Sequence, residues 1–153
     1  MEHRAPTLAP PPAQVEWSRT RARGAAAVSL TAAAVIVTYW AVWFTDRPLL
    51  ASSTARGYLD FENAFPLADA WLTAALLLAA AACWSDRAAA ARLWLTVAAG
   101  SGVYLFSMDV LYDLEHRIWF TGGGAGVTEA VINLLTLAMS VLLWRLSPRR
   151  WAG

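Results

Sequence analysis

Apolar residues fall in four long blocks separated by short polar stretches. The first runs from Gly24 to Thr45, 22 residues without a charge. At about 1.5 Å per residue that length crosses a hydrocarbon core about 30 Å thick. Three further blocks follow at 65–85, 92–113 and 125–145, each long enough only with an acidic residue inside it. Their charge-free runs alone are 15 or 16 residues, a length at which a buried helix of a soluble protein competes. Leucine and alanine surround the whole helical circumference rather than one stripe, which favours membrane spans. The pattern predicts an all-α integral membrane protein, a four-helix antiparallel bundle over residues 24–146. Residues 1–23 form a tail with Pro6, Pro10, Pro11 and Pro12 that is expected to be disordered, and 147–153 a short basic tail.

Composition agrees with a membrane protein. Hydrophobic residues make up 58% and charged residues 15% of the chain, against about 45–50% and 25% in soluble domains. A net charge of +1 offers no basic face for nucleic acid. The single cysteine, Cys83, excludes an internal disulfide or a CxxC pair.

The near-zero net charge hides a strong polarity. Arg4, Arg19, Arg21, Arg23, Arg87, Arg92, Arg145, Arg149 and Arg150 would lie on one side of the membrane, and only Arg47, Arg56 and Arg117 on the other. By the positive-inside rule both termini are cytoplasmic. Twelve arginines and no lysine suit a GC-rich bacterial genome and carry no mechanistic weight; the expected location is the bacterial inner (plasma) membrane. The nine tryptophans suit the two membrane–water boundaries, with Trp40, Trp43, Trp71 and Trp119 at the outer one and Trp17, Trp84, Trp94, Trp144 and Trp151 at the inner one.

Three acids interrupt the spans: Asp69, Asp109 and Glu129. Each falls four residues inside the outer end of its block, about 6 Å below the interface at the helical rise. Ionisable groups at such depth are costly and mark either a functional site or a structural pairing. Polar residues share their faces: Asn133, Thr136 and Ser140 below Glu129, Thr73 below Asp69, and Tyr112, Asp113 and His116 above Asp109. Thr31 and Thr38 mark the first span in the same way. A bundle would gather these stripes inside and turn leucine to lipid. His116, Arg117, Arg47 or Arg56 could neutralise the acids, as could a bound cation.

Other features have plainer readings. One histidine near the acids and no HExxH or Cys/His spacing argue against a metal ion, and no cofactor is expected. The run Ala98–Ala99–Gly100–Ser101–Gly102 suits close helix packing, or else leaves a cavity beneath the acids. Gly122–Gly123–Gly124 lacks the lysine and strand–helix context of a phosphate loop and reads as a linker.

Tyr39–Trp40, the segment Phe61–Glu62–Asn63–Ala64–Phe65–Pro66–Leu67–Ala68–Asp69–Ala70–Trp71, and Met108–Asp109–Val110–Leu111–Tyr112–Asp113–Leu114 resemble small uncharacterised bacterial four-span integral membrane proteins. The resemblance covers most of residues 30–146 and carries no activity with it. A looser similarity, at the level of fold alone, is to the sterol-isomerase and sigma-2-receptor superfamily, whose intramembrane acids line a ligand cavity open to the bilayer.

The resulting expectation is a non-catalytic bundle with an acidic outer-leaflet pocket for a small cationic or amphipathic ligand. Asp69, Asp109 and Glu129 form its floor, with Asn133 and Thr73 on the same faces. Glu62, Asp113 and His116 form its rim, and Tyr104 and Tyr112 its walls. Two alternatives stand beside it: an enzyme that modifies a lipid or isoprenoid with a carboxylate pair, and an assembly subunit whose polar stripes hold helices together. The bilayer is one partner, and a second copy of the chain or another membrane protein is a further one.

Overall fold

Alanine and leucine fill the apolar blocks, and both are strong helix formers. In the computed structural model, which describes residues 17–120 and 124–148, every block is helical and no strand occurs among those residues. The elements are α1 (Arg19–Thr45), α2 (Arg56–Glu62), α3 (Pro66–Trp84), α4 (Ala88–Glu115) and α5 (Gly124–Leu146), with 3-10 turns at Arg47–Leu49 and Ile118–Phe120. Four stretches are long and apolar enough to cross a membrane: α1, α2 together with α3, α4, and α5.

The helix ends follow local chemistry. The Ser18 hydroxyl caps α1 by accepting from the Arg21 amide at 3.3 Å, a contact worth about 1 kcal/mol. Helix therefore begins at Arg19, inside the stretch expected to belong to the tail; residues 1–16 lie outside the described residues. Pro66 opens α3, where its fixed φ suits a first turn and its missing N–H is no loss. Ala88 to Ala91 draw α4 back four residues from its expected start. The connection from α3 to α4 is then only Ser85–Arg87, closed by Asp86 in the left-handed region at φ 53°. Asp tolerates that conformation better than most residues.

The helices pack in a ring. α1 lies on α3, α3 on α4 and α4 on α5, whereas α5 meets α1 over a much shorter contact. Alanines (Ala25, Ala26, Ala33, Ala75, Ala79, Ala91, Ala98, Ala99) with Leu72, Leu76, Leu95 and Leu143 form the main core. Small side chains let helix backbones approach where no water drives them together. Gly102 is the extreme case: a Cβ there would collide with Ser140 Oγ on α5. Ala98, Ala99 and Gly102 of the small-residue run on α4 thus serve packing, Gly100 and Ser101 line a separate groove, and none of the run lines the acidic cavity described below.

Large apolar side chains point outward instead. Val35, Phe44, Leu67, Leu134, Leu135 and Trp144 are each more than half exposed. So much exposed apolar surface is the mark of a chain surrounded by lipid. Trp71 and Trp94, expected at opposite boundaries, meet edge to face with ring centroids 6.5 Å apart. They pack on one another across α3 and α4, so the two boundaries do not hold one each.

Candidate functional site

At the α2 end of the ring lies a second, aromatic core made of Trp40, Trp43 and Tyr58 with Tyr39, Leu50 and Tyr112 around it. α2 is the element that the sequence pattern did not show, since seven residues are too few for periodicity. It is tied down on three sides. Tyr39 of α1 donates to Glu62 Oε2 at 3.3 Å. Trp43 Nε1 donates to Asn63 Oδ1 at 3.2 Å. Phe61 stacks on Tyr112 of α4 with centroids 3.8 Å apart and planes 9° from parallel.

Below α2 a cavity of about 650 Å³ opens between the helices, within the range of about 300–1,000 Å³ common for ligand sites. Glu62, Asp69, Asp109 and Glu129 all line it, together with Tyr39, Trp40 and Phe65. The three span acids converge as the shared depth implied, and Glu62 joins them from above.

Each acid has a different environment. Asp69, in the first turn of α3, accepts from Trp40 Nε1 at 2.8 Å, and the dipole at a helix N-terminus favours its charge. Glu129 accepts from the Tyr58 hydroxyl at 3.1 Å, and that hydroxyl in turn accepts from the Ser52 amide at 3.2 Å. Among the described residues Glu62 has only the Tyr39 hydroxyl. Asp109 makes no hydrogen bond or ion pair among the described residues. The four carboxylates thus have neutral aromatic donors, or none.

No cationic side chain among the described residues answers them. Among the described residues the one ion pair is Arg19–Asp86, at 3.8 Å and largely exposed, far along the chain from this site. Arg47 lies over the Trp43 ring instead, 5.1 Å from its centroid. His116 was expected to partner a carboxylate. Its Nδ1 lies 3.0 Å from the Tyr112 carbonyl of its own helix, and its ring stacks on Tyr112. Among the described residues no three His, Cys, Asp or Glu side chains are grouped to hold a metal ion.

Several sequence candidates lie elsewhere. Asp113, buried one turn beyond Asp109, does not line the cavity and accepts from Asn133 Nδ2 at 2.8 Å, a contact that joins α4 to α5. Asn133 gives its Nδ2 to that contact, and its Oδ1 is buried without a hydrogen-bond partner among the described residues. Tyr112 and His116 form an aromatic column with Phe61 beside the cavity. Tyr104 lines a separate shallow groove with Trp71 and Gly100, and Thr73 lines neither space. The residues the sequence reading missed are the donors, Tyr39, Trp40 and Tyr58. A signal was there: Tyr39 and Trp40 sit toward the C-terminal end of α1, level with the acids, and a carboxylate at that depth needs an N–H or O–H nearby.

The other end of the cavity is apolar, walled by Val28, Ala32 and Ile36 of α1 and Ile132, Met139 and Leu142 of α5. Thr136 also lines it, with its hydroxyl turned to the Ile132 carbonyl of its own helix at 2.9 Å. The site therefore offers acid at one end and hydrocarbon at the other.

Comparison of the chain with protein-family models, with curated proteins and with solved structures finds no match.

Proposed function

We propose that the protein is a multi-pass membrane protein of the bacterial inner membrane, an antiparallel bundle with both termini cytoplasmic. In this reading it binds a small cationic or amphipathic ligand without chemical turnover. One observation carries the proposal: Asp109 faces a cavity shared with three other carboxylates, and no cationic side chain among the described residues pairs with any of them. Charges in a low-dielectric interior are tolerated when paired, and a cationic ligand is the partner that this wall lacks. The assembly-subunit reading explains the Asp113–Asn133 contact but leaves Asp109 unexplained. Likeness to the bacterial four-span family is part of the same proposal and adds no activity to it.

The test is equilibrium binding of alkylammonium ions to the purified protein in detergent micelles. Saturable binding is expected, weakened about tenfold or more by Asp109→Asn, the scale of one charge-assisted contact. Equal binding by wild type and by the Asp109→Asn, Glu129→Gln double variant, both folded, would contradict the proposal.

A further inference from the structure

The cavity has a side door. Ala27, Thr31 and Val35 recur at four-residue intervals along α1, and each is both exposed and part of the cavity lining. On α5, Leu135, Ala138 and Leu142, spaced three and four residues apart, are likewise exposed and part of the lining. These two stripes are the lips of an opening along the seam where α1 and α5 make their short contact. From Ala27 to Val35 the opening runs about 12 Å at the helical rise. It faces sideways, in the middle of two helices long enough to span a bilayer. The α2 end has no comparable gap on its tied sides: Tyr39, Asn63 and Phe61 hold α2 against α1 and α4.

Resting on the binding proposal above, we infer that the ligand is a membrane-resident amphiphile, a single-chain amine. It enters sideways from the bilayer between α1 and α5. Its ammonium group sits among Glu62, Asp69, Asp109 and Glu129, and its hydrocarbon chain lies along the apolar arm toward Ala27 and Leu142. Charge complementarity chooses the head, since the four acids lack a cation. The lining chooses the chain. Apart from threonines, the walls away from the acids are hydrocarbon, and an apolar chain leaves no buried polar group of its own unpaired there. Length sets the class. Trp40 to Ala27 and Glu129 to Leu142 each cover 13 steps along a helix, about 20 Å at the helical rise. An extended chain advances about 1.2 Å per bond, so roughly sixteen bonds fill that distance. A short hydrophilic ammonium ion would leave most of the arm empty.

The experiment uses the full chain in lipid nanodiscs and two photoreactive hexadecylammonium probes. One carries its diazirine beside the nitrogen and the other carries it at the chain terminus. The first is expected to label positions near Tyr39, Trp40 and Asp69. The second is expected to label the inner halves of α1 and α5, around Ala27–Thr31 and Ala138–Leu142. Excess unlabelled hexadecylammonium should abolish both patterns. If the nitrogen-side probe labels as expected but the terminal probe labels residues 47–62, the chain points outward; binding then stands and the lateral-entry inference fails. If butylammonium displaces the nitrogen-side probe as well as hexadecylammonium does, the chain adds nothing and the inference fails again. If neither probe is displaced at any position, the binding proposal falls with it.

Discussion

Trp40 Nε1 donates to Asp69 Oδ2 across 2.8 Å, so the indole that closes the aromatic core of α1 also holds the first-turn carboxylate of α3. This contact couples the largest side chain beside the cavity to one of its acids. Trp40→Phe keeps an aromatic ring in the core, removes the donor and leaves a small void. Destabilisation of about 1–3 kcal/mol is expected, the cost of leaving a partly buried acceptor unpaired. Thermal unfolding in micelles checks it, and an unchanged midpoint would show that water replaces the indole.

Close contact between α4 and α5 depends on Gly102 facing Ser140. Gly102→Ala should destabilise by about 1–3 kcal/mol, as overpacking of a well-filled interior does. Ser140→Gly in the same chain should recover much of that loss. A double-mutant cycle measures the coupling, and strict additivity would mean that the helices separate freely at this point.

Asp113 and Asn133 predict a different split between stability and binding. Asn133→Ala strips a buried carboxylate of its amide donor and should cost about 1–3 kcal/mol. Alkylammonium binding should survive, because neither residue lines the cavity. Asp109→Asn should show the reverse pattern, with a small change in unfolding and a large one in affinity. Titrating both variants side by side separates a packing role from a ligand role.

Orientation can be read with a chemical label. Cys83 is 2% exposed, so the native thiol gives little background. Ser53→Cys in the segment before α2 should react with a membrane-impermeant maleimide added to intact spheroplasts. Ser85→Cys, in the turn between α3 and α4, should react only after permeabilisation. The opposite pattern would place both termini outside.

Much of this was legible in the residues. One charge-free apolar block and three that admit an acid located all four long helices, because length and hydropathy alone set what can cross a bilayer. The shared depth of Asp69, Asp109 and Glu129 pointed to convergence, since residues at one level of adjacent helices face a common interior. What stayed hidden depended on rotation about helix axes. A face four residues wide cannot show whether Asp113 turns with Asp109 into the cavity or with Asn133 into the α4–α5 contact; the structure shows the second. The rotation of α4 likewise decides where Tyr104 points, and it lines the groove beside Trp71. The fold of α2 was hidden because its seven residues are held by Tyr39, Trp43 and Tyr112, partners distant in sequence.

The central claim is that a cationic group occupies the wall of four acids. The most direct measurement is a solid-state NMR distance between the nitrogen of ¹⁵N-labelled hexadecylammonium and the ¹³C-labelled side-chain carboxyls of aspartate, in the full protein in lipid. Dipolar coupling at ion-pair range, about 4 Å between nitrogen and carboxylate oxygen, is the result this account predicts, and Asp109→Asn should reduce it. No coupling under saturating ligand, with the ammonium left at the lipid headgroups, would contradict the account.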